Sequence, residues 1–156
     1  MISIPSSPGT YALILRLERP VVIRVGRLGE FQFPACDTVY LGSALGPGGL
    51  RARLGRHLRG GGRPHWHIDT FRPFALVRGF CYSLSTSPME CRWTRLLARQ
   101  SGAWFPATGF GASDCRARPL RCPAHLVAFS EALFASELSE ILANADFLAV
   151  EVVDRY

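Results

Sequence analysis

An α+β fold, with a small, mostly antiparallel sheet flanked by helices, follows from three features of the chain. Thr10 to Leu17, Val21 to Val25 and Thr38 to Leu41 are apolar or β-branched runs of strand length. Leu50 to Leu58 then shifts to a helical rhythm, and Glu90 to about Gln100 reads as a second helix. Glycine-rich breaks punctuate the pattern.

Taken in order, Gly42-Ser43 closes the third strand, and Ala44 to Gly49 is a glycine-rich loop. In the helix that follows, Arg53 and His57 are four residues apart and share one face. Gly60-Gly-Gly-Arg-Pro64 is a flexible break, His65 to Phe71 opens a further helix or ordered turn, and Ala75 to Leu84 reads as another strand. Ser87-Pro-Met-Glu90 has the form of a capping box, with Ser87 at N-cap, Pro88 at N1 and Glu90 at N3. Gly102 to Pro123 reads mostly as loop and His125 to Ser130 as a last core strand. The tail from Glu131 to Ala143 has helical spacing in Leu133, Leu138, Ile141 and Leu142, and Phe147 to Val153 is apolar but short. Residues 1–130 are expected to form the domain. Residues 131–156 are expected to be a C-terminal extension that packs on the domain or on a partner.

Composition narrows the function. The 156 residues suit one domain with a real core. No apolar run approaches the ~20 residues of a membrane span. The N-terminus lacks a basic start and a long apolar stretch, so a cytoplasmic protein is the expectation. The five cysteines are odd in number and contain no CxxC pair, which argues against a disulfide framework. All 18 basic residues are arginine, and residues 1–121 carry +11 against −5 for residues 122–156. That concentration points to a polyanion partner, most simply nucleic acid. The loop Gly46-Pro-Gly-Gly49 lacks the GK[ST] ending of a Walker loop, which counts against ATP.

On residue type alone, Tyr11 and Tyr40 suit ordinary strand packing, Glu90 suits a helix cap, and Arg53 with His57 suits a solvated helix face. The order of motifs adds to this reading. Gly9-Thr-Tyr11, Tyr40-Leu-Gly-Ser-Ala-Leu-Gly46, Gly48-Gly-Leu50 with Arg53, Arg56 and His57, His65-Trp-His-Ile-Asp69, and Gly109-Phe-Gly-Ala-Ser-Asp-Cys115 with Cys122 and His125-Leu126 resemble the DUF123 subfamily of GIY-YIG nuclease domains. The resemblance covers roughly Thr10 to Phe129.

It implies a GIY-YIG-like fold and a divalent-metal-dependent DNA endonuclease, with Mg²⁺ or Mn²⁺ held at Glu90. Tyr11 would help activate the attacking water, and Tyr40 would orient that water or contact the phosphate. Arg53 would lower the phenol pKa values and neutralise transition-state charge. His57 would accept or relay a proton near neutral pH. Some relatives carry a DNA-repair glycosylase domain, which suggests a link to repair.

Arg51, Arg56, Arg59 and Arg63 flank this face as a phosphate-tracking patch or a solvated helix end. His65 and His67 contact phosphate or stack on a base with Trp66, unless Asp69 ties a histidine into a structural pair. Asp114, Cys115, Cys122 and His125 raise a zinc site, with His67 as a fourth ligand. The stretch Arg116-Ala-Arg-Pro-Leu-Arg121 separates the two cysteines further than in the subfamily, which favours reduced cysteines anchoring a loop. Two rivals stand beside the nuclease: a non-catalytic nucleic-acid-binding module that keeps the fold, and an interaction protein working through its acidic tail. A homodimer or protein partner would supply the specificity that so small a domain lacks.

Overall fold

The computed structural model describes residues 3–112, 115, 122–143 and 150–154. Asp114, residues 116–121 and residues 147–149, which figure in the expectations above, lie outside the described residues. The fold is α+β, as expected. A six-stranded antiparallel sheet runs β6-β7-β4-β1-β5-β8. Its strands are β1 (Gly9–Leu17), β4 (Cys36–Ala44), β5 (Leu76–Leu84), β6 (Ala103–Trp104), β7 (Leu126–Phe129) and β8 (Val150–Asp154). The second predicted strand, β2 (Val21–Val25), leaves this sheet and pairs with β3 (Gly29–Phe33) in a separate hairpin.

β1 is a continuous apolar run because both of its faces are covered. Tyr11, Leu13 and Leu15 face a core completed by Phe33 of β3, by Leu50 and Leu54 of α1 (Gly49–Arg59), and by Ile68 and Phe71 of α2 (His67–Phe71). Ala12 and Ile14 face the opposite core with Trp93 and Leu97 of α3 (Glu90–Ala98) and Leu138 and Leu142 of α4 (Ala135–Ala143). The chain therefore forms three layers, with the sheet between α1, α2 and the hairpin on one side and α3 and α4 on the other.

The segment beyond residue 130 is part of this body. Ala135, Leu138 and Leu142 are buried in the second core, and β8 pairs with β5. Asp37 joins the segment to β4: its carboxylate accepts the Leu133 amide at 2.9 Å and pairs with Arg16 at 2.9 Å.

Two local expectations are corrected. β4 continues through Gly42 and Ser43 to Ala44, because β1 pairs with it along that whole length. No capping box opens α3. The helix begins at Glu90 with Met89 at its cap, and Ser87 instead closes a local turn with Ser85. The Met89 amide, at the cap position, donates to Thr10 Oγ1 at 3.2 Å, so a distant strand satisfies a donor at the start of the helix.

Candidate active-site cleft

β7 pairs with β4 only from Asp37 to Tyr40. Beyond that point the outer edge of β4 is open, apart from the Leu41 amide donating to the His125 carbonyl at 2.9 Å. A cleft of about 220 Å³ occupies the opening. Its wall includes Tyr40 and Ser43 of β4, Arg53 of α1, Glu90 of α3, Gly111 and His125. Helices from opposite layers thus reach one strand edge from either side.

Three of the five expected catalytic residues, Tyr40, Arg53 and Glu90, line this cleft. Glu90 is buried at the first residue of α3, where a carboxylate is favoured by the helix dipole. It accepts a hydrogen bond from Ser43 Oγ, and Ser43 in turn faces Thr10 at 3.3 Å. Glu90 is the first residue of α3, after Met89, and does not occupy the N3 position that a capping box would give it. Arg53 donates to the Ser43 carbonyl, and its guanidinium lies 4.5 Å from the Trp66 ring centre. Its Nε is buried without a partner among the described residues, which leaves one donor of the fork unsatisfied.

Tyr11 and His57 sit beneath the cleft, not on its wall. The Tyr11 hydroxyl and His57 Nε2 are 2.8 Å apart, and both side chains are buried. Burial first, then Tyr40, pushes the Tyr11 phenol well above its usual range. Tyr40 is pushed up to about 12, mainly by burial. Arg53 pulls both phenols down, as the sequence suggested, but burial outweighs it. Burial likewise pushes His57 down to about 4, with Asp69 opposing and Arg53, Arg56 and Arg72 reinforcing. Burial therefore favours the neutral form of His57 near pH 7. The Tyr11 hydroxyl and His57 Nε2 share one hydrogen bond, and Nδ1, buried with no hydrogen-bond partner among the described residues, lies 4.0 Å from Asp69 Oδ1.

The depressed His57 value sets a pH dependence of stability. The unfolded chain binds this proton more tightly, so the stabilisation is complete above pH 6.5 and is lost as pH falls towards 4. The span corresponds to about 3 kcal/mol. Urea unfolding midpoints measured across this range should fall steeply for the wild type and distinctly less for His57→Gln. Equal slopes would show that His57 does not carry the effect.

Asp69 organises the His65-Trp-His-Ile-Asp69 segment. Its Oδ2 accepts from the backbone amides of His65 and Trp66 at 2.8 and 2.9 Å and pairs with Arg56 at 2.9 Å. Arg56 also lies against Trp66, 4.7 Å from the ring centre, and donates to the Arg63 carbonyl. His67 accepts the Gly111 amide at Nδ1, 2.9 Å away, which fixes the loop on the far wall of the cleft. His65 is exposed and packs edge-on to Trp66. Arg51 donates to the Ile4 carbonyl and so ties down the N-terminal segment, while the side chains of Arg59 and Arg63 are exposed.

The cysteines make a second constellation behind the cleft. Cys91, Cys115, Cys122 and His125 are buried and place one donor atom each within 4.8 Å of all the others, an arrangement that could hold a metal ion. The long separation of Cys115 and Cys122 does not keep them apart: their sulfurs are 3.7 Å from one another. The fourth member is Cys91, and His67, committed to Gly111, is not part of the group. Ser43, Thr10 and Cys91 were absent from the expected site. The signal for Ser43 was its place three residues after Tyr40 on the same strand, and for Cys91 its adjacency to Glu90.

Fold and site together define a small α+β domain with one polar cleft cut into a sheet edge and a buried thiol–imidazole cluster behind it. The chain belongs to the DUF123 family, described as a domain of unknown function, which matches residues 10–146. No curated protein and no solved structure matches it. Among the described residues, no helix is long and apolar enough to cross a membrane.

Proposed function

We propose that this chain is a GIY-YIG-like endonuclease that hydrolyses phosphodiester bonds in DNA with one divalent cation, in a cytoplasmic setting linked to repair. The observation that carries the reading is the meeting of Tyr40, Arg53 and Glu90 on one cleft. Glu90 and the Ser43 hydroxyl fit a hard cation that keeps most of its waters and takes one carboxylate, so Mg²⁺ or Mn²⁺ is the group to test. When bound, such a cation polarises the phosphate and stabilises the leaving oxygen.

The protein's own groups supply the rest. Arg53, with an unsatisfied Nε, neutralises charge on the phosphate oxygens. Tyr40, un-ionised, hydrogen-bonds to and orients the attacking water or the phosphate. Tyr11 and His57 brace Tyr40 and Arg53 from below, with ring centroids of Tyr40 and His57 5.8 Å apart. Arg59, Arg63 and His65 are the exposed groups placed to follow the backbone of the nucleic acid.

A second reading has its own support. Tyr11 and His57, two of the five expected catalytic residues, are buried beneath the cleft and absent from its wall. That placement suits a non-catalytic DNA-binding module that keeps the cleft for a phosphate.

Labelled branched, flapped, single-stranded and duplex DNA, incubated with Mg²⁺ or Mn²⁺ and with chelator, separates the two. The nuclease reading expects metal-dependent cutting lost in Arg53→Ala. Binding that weakens steeply with salt, without cutting under any metal, would replace it with the binding module. The mass of the chain in solution tests the proposed dimer.

A further inference from the structure

We propose that Cys91, Cys115, Cys122 and His125 form a closed, structural zinc centre that fixes the wall of the cleft on which Glu90 stands. The six donor-to-donor distances carry the geometry. Cys91 Sγ lies 3.2, 2.7 and 3.5 Å from Cys115 Sγ, Cys122 Sγ and His125 Nε2. Cys115 Sγ lies 3.7 Å from Cys122 Sγ and 3.1 Å from His125 Nε2, and Cys122 Sγ lies 3.0 Å from His125 Nε2. Four atoms that are all mutual neighbours, at spacings from 2.7 to 3.7 Å, stand at the corners of an irregular tetrahedron. Zinc–sulfur bonds of about 2.3 Å and a zinc–nitrogen bond of about 2.0 Å call for edges of roughly 3.5–3.8 Å, so outward shifts of up to about 1 Å at the tightest edge admit the ion.

The donor chemistry selects the metal. Three thiolates and one imidazole suit zinc and are too soft for Mg²⁺. No pair is close to the ~2.05 Å of a disulfide, and three sulfurs cannot be paired off among themselves. Among the described residues, the small core cluster here consists of these three cysteines and Ala112. All four positions are filled by protein and buried, which is the form of a structural site and not a catalytic one.

The placement gives the centre its task. Cys91 follows Glu90 in the first turn of α3, and His125 itself lines the cleft. The His125 amide donates to the Phe110 carbonyl at 2.7 Å, and its carbonyl accepts from Leu41 of β4. One ion would therefore fasten the start of α3, the loop through Gly111 and the open edge of β4 to each other. The zinc site stands on geometry independent of catalysis; only its effect on Glu90 rests on the nuclease reading.

The full chain, purified without chelator or an affinity tag that binds metal, should contain about one zinc per molecule. Exchange with Co²⁺ should give the intense visible bands of tetrahedral cobalt and a thiolate-to-cobalt charge-transfer band. Cys91→Ser should lose most of the zinc, while Cys36→Ser and Cys81→Ser, at buried thiols outside the cluster, should keep it. Cys91→His, which restores a fourth donor, should regain it. If Cys91→Ser fails to fold, the cobalt spectrum of the wild type still decides. Substoichiometric zinc together with an octahedral or absent cobalt spectrum would overturn the proposal. Stoichiometric zinc without DNA cleavage would support the zinc centre and count against the nuclease, so the two readings fail separately.

Discussion

On the proposed nuclease reading, Glu90→Gln is expected to slow metal-dependent cleavage by about 10²–10³-fold while leaving the fold and DNA affinity in place. The amide is nearly isosteric with the carboxylate, and its oxygen can still accept the Ser43 hydroxyl, so packing at the start of α3 is preserved. The substitution removes a negative charge from a buried position at the first residue of a helix, at a cost to stability of about 0.3–1 kcal/mol. A hard divalent cation, by contrast, depends on that charge. Binding of DNA should hold or tighten, because one repulsion with phosphate disappears. Single-turnover rates across a Mg²⁺ titration separate the effects: loss of the metal ligand lowers the rate even at high Mg²⁺. Ser43→Ala should act more mildly. Losing a hydrogen bond to the ligand typically weakens metal binding 10–100-fold, so more Mg²⁺ should restore its rate. An undiminished rate in Glu90→Gln would remove this residue from the mechanism.

That test is possible because the sequence singled out three of the residues that line the cleft, Tyr40, Arg53 and Glu90. Tyr40 and Arg53 belong to ordered motifs on a strand and a helix readable from local periodicity, and Glu90 came from its place at the start of a later helix. What escaped was tertiary. β3 alternates Phe31 and Phe33 with polar residues over only five positions, too short to stand out, and pairs only with β2. The capping box failed because Thr10, 79 positions away, reaches the amide of Met89. Cys91 lies on a helix whose neighbours Trp93 and Leu97 are core, and 24 residues separate it from Cys115, so nothing local pairs the two. The desolvation of the phenols and His57 was hidden for a similar reason. Spacing revealed that Arg53 and His57 share a face with the phenols near them, but the size of the desolvation depends on how completely α1, α2 and the loop through Phe110 close over that face. Charge is written in the sequence, whereas burial is the property of the assembled layers.

Gly42→Ala should be among the most damaging single-methyl changes in the chain, and the damage should be traceable to one partner. Gly42 and Tyr11 are directly opposed in the β1–β4 ladder. The Tyr11 ring lies back across the glycine, so a Cβ at position 42 would stand 2.5 Å from both Cζ and the hydroxyl oxygen, and 3.1 Å from Cε1. No side chain tolerates such contacts, and Tyr11 is fully buried against Tyr40 and His57, with no free space to turn into. Overpacking of this kind costs about 1–3 kcal/mol, and displacing the ring also breaks the Tyr11–His57 hydrogen bond beneath the cleft. Tyr11→Ala alone should cost roughly 3–5 kcal/mol, by analogy with other large aromatic truncations. In that background, however, the alanine methyl at position 42 meets a cavity in place of a ring. The double variant should then be no less stable than Tyr11→Ala, giving a coupling of about 1–3 kcal/mol in a double-mutant cycle. Costs that simply add would mean that the glycine serves the strand itself; a strong coupling would mean that the Tyr-Leu-Gly motif exists to seat the phenol of the opposite strand.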